Sequence, residues 1–365
     1  MMKRREFGAK LAGGAAGVGL AGSLSGAARA PRRNTLMHVG GDYHSVAGSG
    51  FSSRENLEYN LRCGVKHLTG QVGKRSPDGG WDLDELKRMK DDCDKRGVTF
   101  EAIRMDAGYI ALRKGPERDR ALDAVIGNIQ KASTVGVKII THHWTVIPIR
   151  RNQKTPGRGG ATYAGFKLED DWKALPEGKA GKVSSEDYWE RITTFLQKVI
   201  PAAKQYGVRM ACHPYDPPGL PFGYQGADNW DSPSVFEAIK RYESIVDSPY
   251  NGFQLCLGTA AEGLKNPNAE ILPIVQYLGE RGKLYQIHMR NIRGGLHNFE
   301  EVYPDEGDMD LFRVMRVLRD VQFGGSICPD HMPRHPGDPG GLQSFAFGYG
   351  YIKALIQAVN SEVRG

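Results

Sequence analysis

The stretch VIPAAKQYGVRMACHP (199–214) decides the fold, because it contains one complete unit of a pattern that recurs along the chain. An amphipathic segment leads to Gly207, which permits the left-handed turn that ends a helix. A short apolar run follows, as expected for a strand that is covered on both faces. The unit ends at His213, and Pro214 stops the strand there.

The same unit recurs six more times, so the repeat sets the fold class. The other copies lie at 57–70, 86–105, 128–144, 242–258, 274–291 and 314–331. With an opening strand at 35–41, the pattern predicts eight strands that alternate with helices, which is typical of a single (β/α)8 TIM barrel of the α/β class. A doubly wound sheet is the alternative, but its usual Gly-rich phosphate loop is not present in the sequence.

The longer stretches after the strand ends read as irregular loops. We expect such loops to shape a substrate pocket at the carboxyl-terminal face of the barrel. They span residues 145–185, 214–233, 292–309 and 332–345.

Residues 1–30 read as an export signal that precedes a single catalytic barrel domain over residues 31–365. The segment has a basic start, a weakly apolar Gly/Ala/Leu middle and a small-x-small ending at 28–30. Arg4-Arg5-Glu6-Phe7 followed by Lys10 resembles a twin-arginine signal. The middle is too Gly-rich for a stable membrane anchor. We therefore expect recognition by the twin-arginine export machinery and a periplasmic location; a cytoplasmic tail is the alternative.

The net charge argues against nucleic acid as a partner. The formal charge of the chain is +7, and residues 1–30 supply +4 of it, from five basic residues and one acidic residue, which leaves +3 for residues 31–365. No stripe of Lys and Arg is interleaved with aromatic residues, as a nucleic-acid surface would need. We expect a small molecule as the partner, and the sequence is compatible with a homo-oligomer.

Four consecutive barrel strands are predicted to end in residues that bind soft divalent metals. Strand ends of a parallel barrel converge on one face, where such enzymes keep their chemistry. Two imidazoles, a thiolate and a carboxylate suit zinc, manganese, iron or cobalt better than calcium or magnesium. The predicted metal ligands are His213, Cys256, His288 and Asp330.

Residues beside these ligands are candidates for substrate binding and catalysis. His331 follows Asp330 and can act as a general acid or base, because an unperturbed imidazole titrates near neutral pH. Arg290 shares a strand face with His288 and can bind a substrate carboxylate, although pairing with Asp308 or Asp310 is the alternative. Asn291 offers a donor and an acceptor to a sugar hydroxyl.

Three residues of the first, third and fourth strands have more general predicted roles. His143, at the end of the fourth strand, is a candidate for lining the pocket and binding substrate, and His38 in the first strand is a second candidate for the pocket lining. Glu101 lies inside the third strand, where a buried ion pair with Arg104 or Lys138 is expected.

Five short motifs in this order resemble those of the mannonate dehydratase family. They are HPYDPP (213–218), QLCLGT (254–259), HMRNI (288–292), GDMDLFRVM (307–315) and PDHMP (329–333). The resemblance implies a xylose-isomerase-like barrel that uses a divalent metal, commonly manganese or iron. It carries the family's metal ligands onto the four residues named above and its catalytic histidine onto His331. The chain departs from the family pattern at Tyr215 and Gln343.

The resemblance implies removal of water from D-mannonate to give 2-dehydro-3-deoxy-D-gluconate, a step of hexuronate catabolism. A sugar isomerase or epimerase on the same barrel is one alternative, although such enzymes normally use more carboxylate ligands. An exported sugar-acid-binding protein without catalysis is the second.

Overall fold

The computed structural model describes residues 34–364, apart from residues 107, 147–149 and 179. The predicted export signal at 1–30 lies outside these residues. Eight parallel strands close into a barrel. The predicted (β/α)8 barrel is therefore confirmed.

The strands that close the barrel are short, and each ends at the same face. They are β1 (His38–Gly41), β2 (His67–Gln71), β3 (Thr99–Arg104), β4 (Ile139–His143), β7 (Arg209–His213), β8 (Asn251–Cys256), β9 (Leu284–His288) and β12 (Ser326–Cys328). Around the barrel their order is β1-β12-β9-β8-β7-β4-β3-β2. The helices are α1 (Arg54–Arg62), α2 (Leu83–Asp94), α3 (Pro116–Thr134), α4 (Ser185–Tyr206), α5 (Val235–Ile245), α6 (Leu257–Glu262), α7 (Pro267–Glu280), α8 (Leu311–Asp320) and α9 (Leu342–Arg364).

The helix boundaries follow from local chemistry. Helix α4 begins with a capping box in which Ser184 and Asp187 exchange hydrogen bonds with each other's backbone. It ends at Gly207, whose φ of 66° is the left-handed turn predicted for this position. Apolar faces of the helices then cover the barrel, and side chains such as Phe195 and Leu196 of α4 are fully buried.

The prediction of irregular loops after the strands was wrong in two places. Residues after β4 form β5 (Gln153–Pro156) and β6 (Thr162–Lys167), and residues after β9 form β10 (Asn291–Gly295) and β11 (Asn298–Val302). These four strands make an antiparallel sheet in the order β10-β11-β6-β5. Pairing of β11 with β6 joins segments far apart in the chain, and the repeat pattern contains no signal for it.

None of the helices in the described ranges combines the length and the apolar character needed to cross a bilayer.

One buried histidine near the end of β4 links the stability of the fold to pH. His142 is 2% exposed, and its ring lies 5.2 Å from that of Phe195 between centroids. Neither ring nitrogen has a hydrogen-bond partner among the described residues. Burial lowers the pKa of His142 to about 3. The unfolded chain, with an ordinary histidine pKa near 6.5, therefore binds the proton first as the pH falls.

We expect His142→Leu to make the protein less sensitive to acid. The stability that depends on neutral His142 is fully present above pH 6.5 and is lost as the pH falls from 6.5 toward 3. Between pH 7 and pH 5 this loss amounts to about 2 kcal/mol. Urea unfolding at both pH values should show a correspondingly smaller loss in the variant, because other histidines titrate equally in both proteins. Identical acid dependence of the two proteins would contradict this account.

Candidate active site and metal centre

Four predicted ligands from adjacent strands converge at the carboxyl-terminal face. One ligand atom from each of His213, Cys256, His288 and Asp330 lies within 4.8 Å of the other three. Strand register explains part of this convergence, since Cys256 pairs with His288 between β8 and β9. Asp330 lies two residues beyond the end of β12 rather than within the strand.

A hydrogen bond of His213 and a carboxylate contact of His288 leave one nitrogen of each imidazole facing this cluster. The Nδ1–H of His213 donates to the carbonyl of Pro214 at 2.7 Å, which leaves Nε2 with a lone pair. Nε2 of His288 lies 3.4 Å from Oδ2 of Asp42, and Nδ1 lies 3.3 Å from Oδ1 of Asp330. A carboxylate behind a ligating imidazole is the usual way to fix the orientation and tautomer of the ring.

The sulfur of Cys256 points into the cluster. It donates to Oδ2 of Asp330 at 3.1 Å and accepts the backbone N–H of Thr259 at 3.3 Å. Burial and the nearby Asp330 carboxylate raise the pKa of the thiol. Binding of a metal would displace its proton, as it does at other thiolate sites.

The residues present fit a divalent metal. His288 is fully buried, and neither ring nitrogen makes a properly oriented hydrogen bond within the described chain, although carboxylate oxygens lie close to both. Burying unpaired polar groups is costly unless a ligand compensates them. The donor set of two nitrogens, one sulfur and one carboxylate oxygen is that of a soft or borderline transition metal rather than of calcium or magnesium.

A buried network of two arginines and four carboxylates supports the cluster from behind. Arg290 donates to Oε1 of Glu262 at 2.6 Å and to Glu301, and its Nε lies 3.0 Å from Oδ2 of Asp330. Arg151 binds Glu262, Glu301 and Asp216 from the other side.

Arg290 was predicted to bind a substrate carboxylate, and the structure uses it differently. Its side chain has no exposed surface, and its two terminal nitrogens donate to the carboxylates of the network and to the hydroxyl of Thr259 at 2.6 Å. The alternative pairing with Asp308 or Asp310 is not found among the described ion pairs of Arg290 either. Gly258 makes the packing of Arg290 against α6 possible, because a Cβ at Gly258 would lie 2.6 Å from Nε of Arg290. Arg290 is therefore a positioning residue that holds Asp330.

The network sets the protonation of its carboxylates. Burial alone would raise the pKa of Asp216, but Arg151 and Arg290 outweigh it and hold this pKa at about 2. Burial raises the pKa of Glu262 well above its usual value, despite the same two arginines. The same two arginines therefore accompany opposite pKa shifts at Asp216 and Glu262, because burial dominates at Glu262.

Asn291 also does not act as predicted. Its side-chain amide donates to the carbonyls of Pro304 and Met309, and its oxygen accepts the backbone N–H groups of Ile292 and Met309. Through these hydrogen bonds the Asn291 side chain fixes the loop between β11 and α8. Asn291 therefore has no free group to offer a sugar hydroxyl.

A cavity of about 390 Å³ opens over the cluster, a size within the roughly 300–1,000 Å³ typical of small-molecule sites. Its lining includes His143, His331, His44, Tyr43 and Arg104.

The position of His143 agrees with the predicted pocket lining. Its Nδ1 accepts the backbone N–H of Thr145 at 3.2 Å, so Nε2 carries the proton of the neutral ring. Burial, with the positive charge of Arg104 nearby, lowers the pKa of His143 to about 3.

His331 is held between two carboxylates at the rim of the cavity. Its Nδ1 donates to Oε1 of Glu301 at 2.9 Å, and Nε2 lies 3.9 Å from Oδ1 of Asp330. Burial alone would lower the pKa of His331, but these carboxylates raise it to about 9. His331 therefore carries a positive charge at neutral pH and has a proton to donate.

Asp42 and His44, which lie beyond the end of β1, were not among the site residues predicted from the sequence. Nδ1 of His44 donates to Oδ2 of Asp42 at 3.0 Å, and the His44 ring lies 5.1 Å from that of His331 between centroids. A usable signal was present, because GGDYH (40–44) follows a strand end, as the other site motifs do. His38 was expected to line the pocket, but it begins β1 and lies at the opposite end of the barrel.

Comparisons with known proteins agree with this geometry. The family model described as D-mannonate dehydratase (UxuA) matches residues 173–364. A mannonate dehydratase of Thermotoga petrophila is 28% identical over 340 residues, covering 81% of this chain and 91% of the relative. One of Streptococcus suis (strain 05ZYH33) is 27% identical over 319 residues, covering 76% of this chain and 83% of the relative.

Solved structures show the same fold. The crystal structure of mannonate dehydratase from Streptococcus suis serotype2 aligns with a TM-score of 0.77 at 24% identity, covering 89% of this chain and 94% of that one. A xylose isomerase domain protein from Planctomyces limnophilus aligns with a TM-score of 0.58 at 12% identity, covering 90% and 100%.

The closed barrel with its convergent strand ends defines an enzyme with a xylose-isomerase-like fold. The chain belongs to the D-mannonate dehydratase (UxuA) family, whose model matches more than half of its residues. It is accordingly a sugar-acid dehydratase, a hydro-lyase.

We expect Arg290→Met to destabilise the protein by about 3–5 kcal/mol, because it leaves buried carboxylates with only Arg151 to compensate them. Chemical denaturation measures the change. Arg293→Met is the matched control, since Arg293 is half exposed and pairs only with Glu300 among the described residues. The control should change stability by less than about 1 kcal/mol. Equal effects of the two variants would contradict a structural role for the network.

Proposed function

We propose that this protein is a metal-dependent dehydratase that converts D-mannonate to 2-dehydro-3-deoxy-D-gluconate. The observation that carries the proposal is the convergence of four metal-binding side chains at the floor of a cavity whose rim holds a charged histidine. The names of the relatives support the substrate. Loss of water from C2 and C3 of the acid gives an enol, and a proton added at C3 then gives the 2-keto-3-deoxy product.

His213, Cys256, His288 and Asp330 would hold the metal, for which manganese and iron are the proposed ions. When bound, a divalent cation would polarise the carboxylate and C2 hydroxyl of the substrate and so make the C2 proton more acidic. His143 presents a neutral Nε2–H to the cavity, so it can donate a hydrogen bond to a substrate oxygen.

His331 is the proposed general acid. The Glu301 and Asp330 carboxylates favour its charged form, and Nδ1 is occupied by Glu301. The proton on Nε2 can therefore pass to the departing C3 hydroxyl, which leaves as water.

His44 is the proposed general base. Its Nδ1–H is directed to Asp42, so Nε2 of the neutral ring has a free lone pair that can accept the C2 proton. A carboxylate that orients a histidine base in this way also stabilises the imidazolium that forms. The acid and the base then lie on neighbouring rings at one side of the cavity.

The function is tested by incubating metal-loaded protein with D-mannonate. We expect a product lighter by one water, whereas an isomerase or epimerase would leave the mass unchanged. Chelation should abolish turnover, and manganese or iron should restore it. Binding without turnover in both wild type and His331→Ala would favour a non-catalytic sugar-acid-binding protein.

Two variants distinguish the proposed general acid from the proposed general base. We expect His331→Asn and His44→Asn each to lower kcat by about 10²–10⁴-fold while the bound metal stays at the wild-type level. In D2O, His331→Asn should still exchange the C2 hydrogen, because only the departure of the hydroxyl is blocked. His44→Asn should catalyse neither exchange nor elimination. Exchange by His44→Asn would contradict its role as the base.

We also propose that residues 1–30 direct export to the periplasm through the twin-arginine route. The pair Arg4-Arg5 within a basic start and the small residues before residue 31 support this proposal. It concerns a segment outside the described residues.

The export proposal predicts that the double variant Arg4→Lys, Arg5→Lys keeps the protein in the cytoplasm with its full length. Cell fractionation and amino-terminal sequencing measure this, and we expect the wild-type protein to begin near residue 31. Lys3→Arg is the control, which should leave export intact. A wild-type protein retained uncleaved in the cytoplasm would contradict the proposal.

A further inference from the structure

A second cluster of metal-binding side chains lies at the opposite end of the barrel. His38 and His67 are the first residues of β1 and β2, and Glu101 lies near the start of β3. Since the barrel strands are parallel, these positions are at the amino-terminal face, away from the residues that end the strands. The dehydratase chemistry proposed above uses none of the three.

A β-bulge in β3 marks the position of the carboxylate. Leu68 pairs with Phe100, and Thr69 pairs with Ala102, so Glu101 is an extra residue without a partner on β2. Bulges of this kind redirect a side chain, and they occur often at barrel rims and beside functional sites.

Both imidazoles are directed at the same carboxylate oxygen. Oε2 of Glu101 lies 2.8 Å from Nε2 of His38 and 2.7 Å from Nδ1 of His67. The two rings lie 3.8 Å apart between centroids. One ligand atom from each residue lies within 4.8 Å of the other two, so all three can reach a common point.

The hydrogen bond on the far side of His38 means that either a proton or a metal ion must lie between Nε2 and Glu101. Nδ1 of His38 lies 3.2 Å from the carbonyl oxygen of Leu36, so Nδ1 carries a proton and donates it. A neutral ring then turns an Nε2 lone pair toward Oε2 of Glu101, and two facing lone pairs repel unless a proton or a metal ion lies between them. The same arrangement, a ring nitrogen donating to a backbone carbonyl, prepares His213 as a ligand at the other end.

We propose that His38, His67 and Glu101 form a second metal site that binds a divalent transition metal of the zinc type. Two imidazoles and a carboxylate are a common zinc ligand set that leaves a fourth position for water. The side chains of His38, His67 and Glu101 are 28%, 34% and 13% exposed, so an ion can enter from solvent. A bound ion would cross-link β1, β2 and β3 at the floor of the barrel.

The two sites differ in ligand chemistry, which gives a direct test. Only the carboxyl-terminal cluster contains a thiolate. Only Co²⁺ bound at that cluster should therefore show a sulfur-to-cobalt charge-transfer absorption band. We expect metal-free wild-type protein to bind two equivalents of Co²⁺, one with this band and one without it. Cys256→Ala should still bind one equivalent, without the band.

Variants of the second cluster complete the experiment. Glu101→Gln and His67→Gln should each bind one equivalent of Co²⁺ with the thiolate band intact and should keep dehydratase turnover. Glu58→Gln is the control, because Glu58 is an exposed residue that pairs with Arg54 on α1. It should bind two equivalents.

The result that overturns the proposal is a single equivalent in the wild type combined with none in Cys256→Ala. This outcome is measured on the wild type and Cys256→Ala, so it stays informative even if a Glu101 variant folds poorly. It is also independent of the proposed substrate, since metal binding is measured without turnover.

Discussion

The arrangement of this active site depends on electron-pair donors that are held close together in a space from which water is largely excluded. Two imidazoles, a thiol and a carboxylate converge from adjacent strands, and His288 and Asp330 are almost completely buried. Bringing such groups together costs free energy, because their lone pairs and charges repel and they lose hydration. A bound divalent cation would compensate this cost, and the buried arginine network keeps the donors in place.

The four-stranded sheet outside the barrel contributes to this network. Strand β11 carries Glu301, whose carboxylate contacts both His331 and Arg290. The segment that leads into β5 carries Arg151, which binds the same carboxylate. A barrel without the inserted sheet would therefore lack one of the two carboxylates that keep His331 charged, and Arg290 would lose one of its main counter-ions.

The sequence predicted the barrel and its four convergent residues because both follow from local rules. A helix, a glycine and an apolar strand repeat in order, and parallel strands bring their ends to one face. The roles of Arg290 and Asn291 were not predictable in this way. Whether an arginine faces a substrate or a buried carboxylate depends on side chains such as Glu262 and Glu301, which come from an unrelated helix and an unforeseen sheet. Glu101 was likewise expected to pair with Arg104 or Lys138, but the bulge in β3 directs it to His38 and His67.

The most direct measurement is a crystal structure of the metal-loaded protein with anomalous diffraction recorded at the absorption edge of the metal. The account predicts a peak at the floor of the cavity, bonded jointly to Cys256, His213, His288 and Asp330; with zinc the sulfur would lie at about 2.3 Å and the nitrogens at about 2.0–2.1 Å. A metal bound elsewhere on this face, with the sulfur of Cys256 turned away from it, would contradict the account.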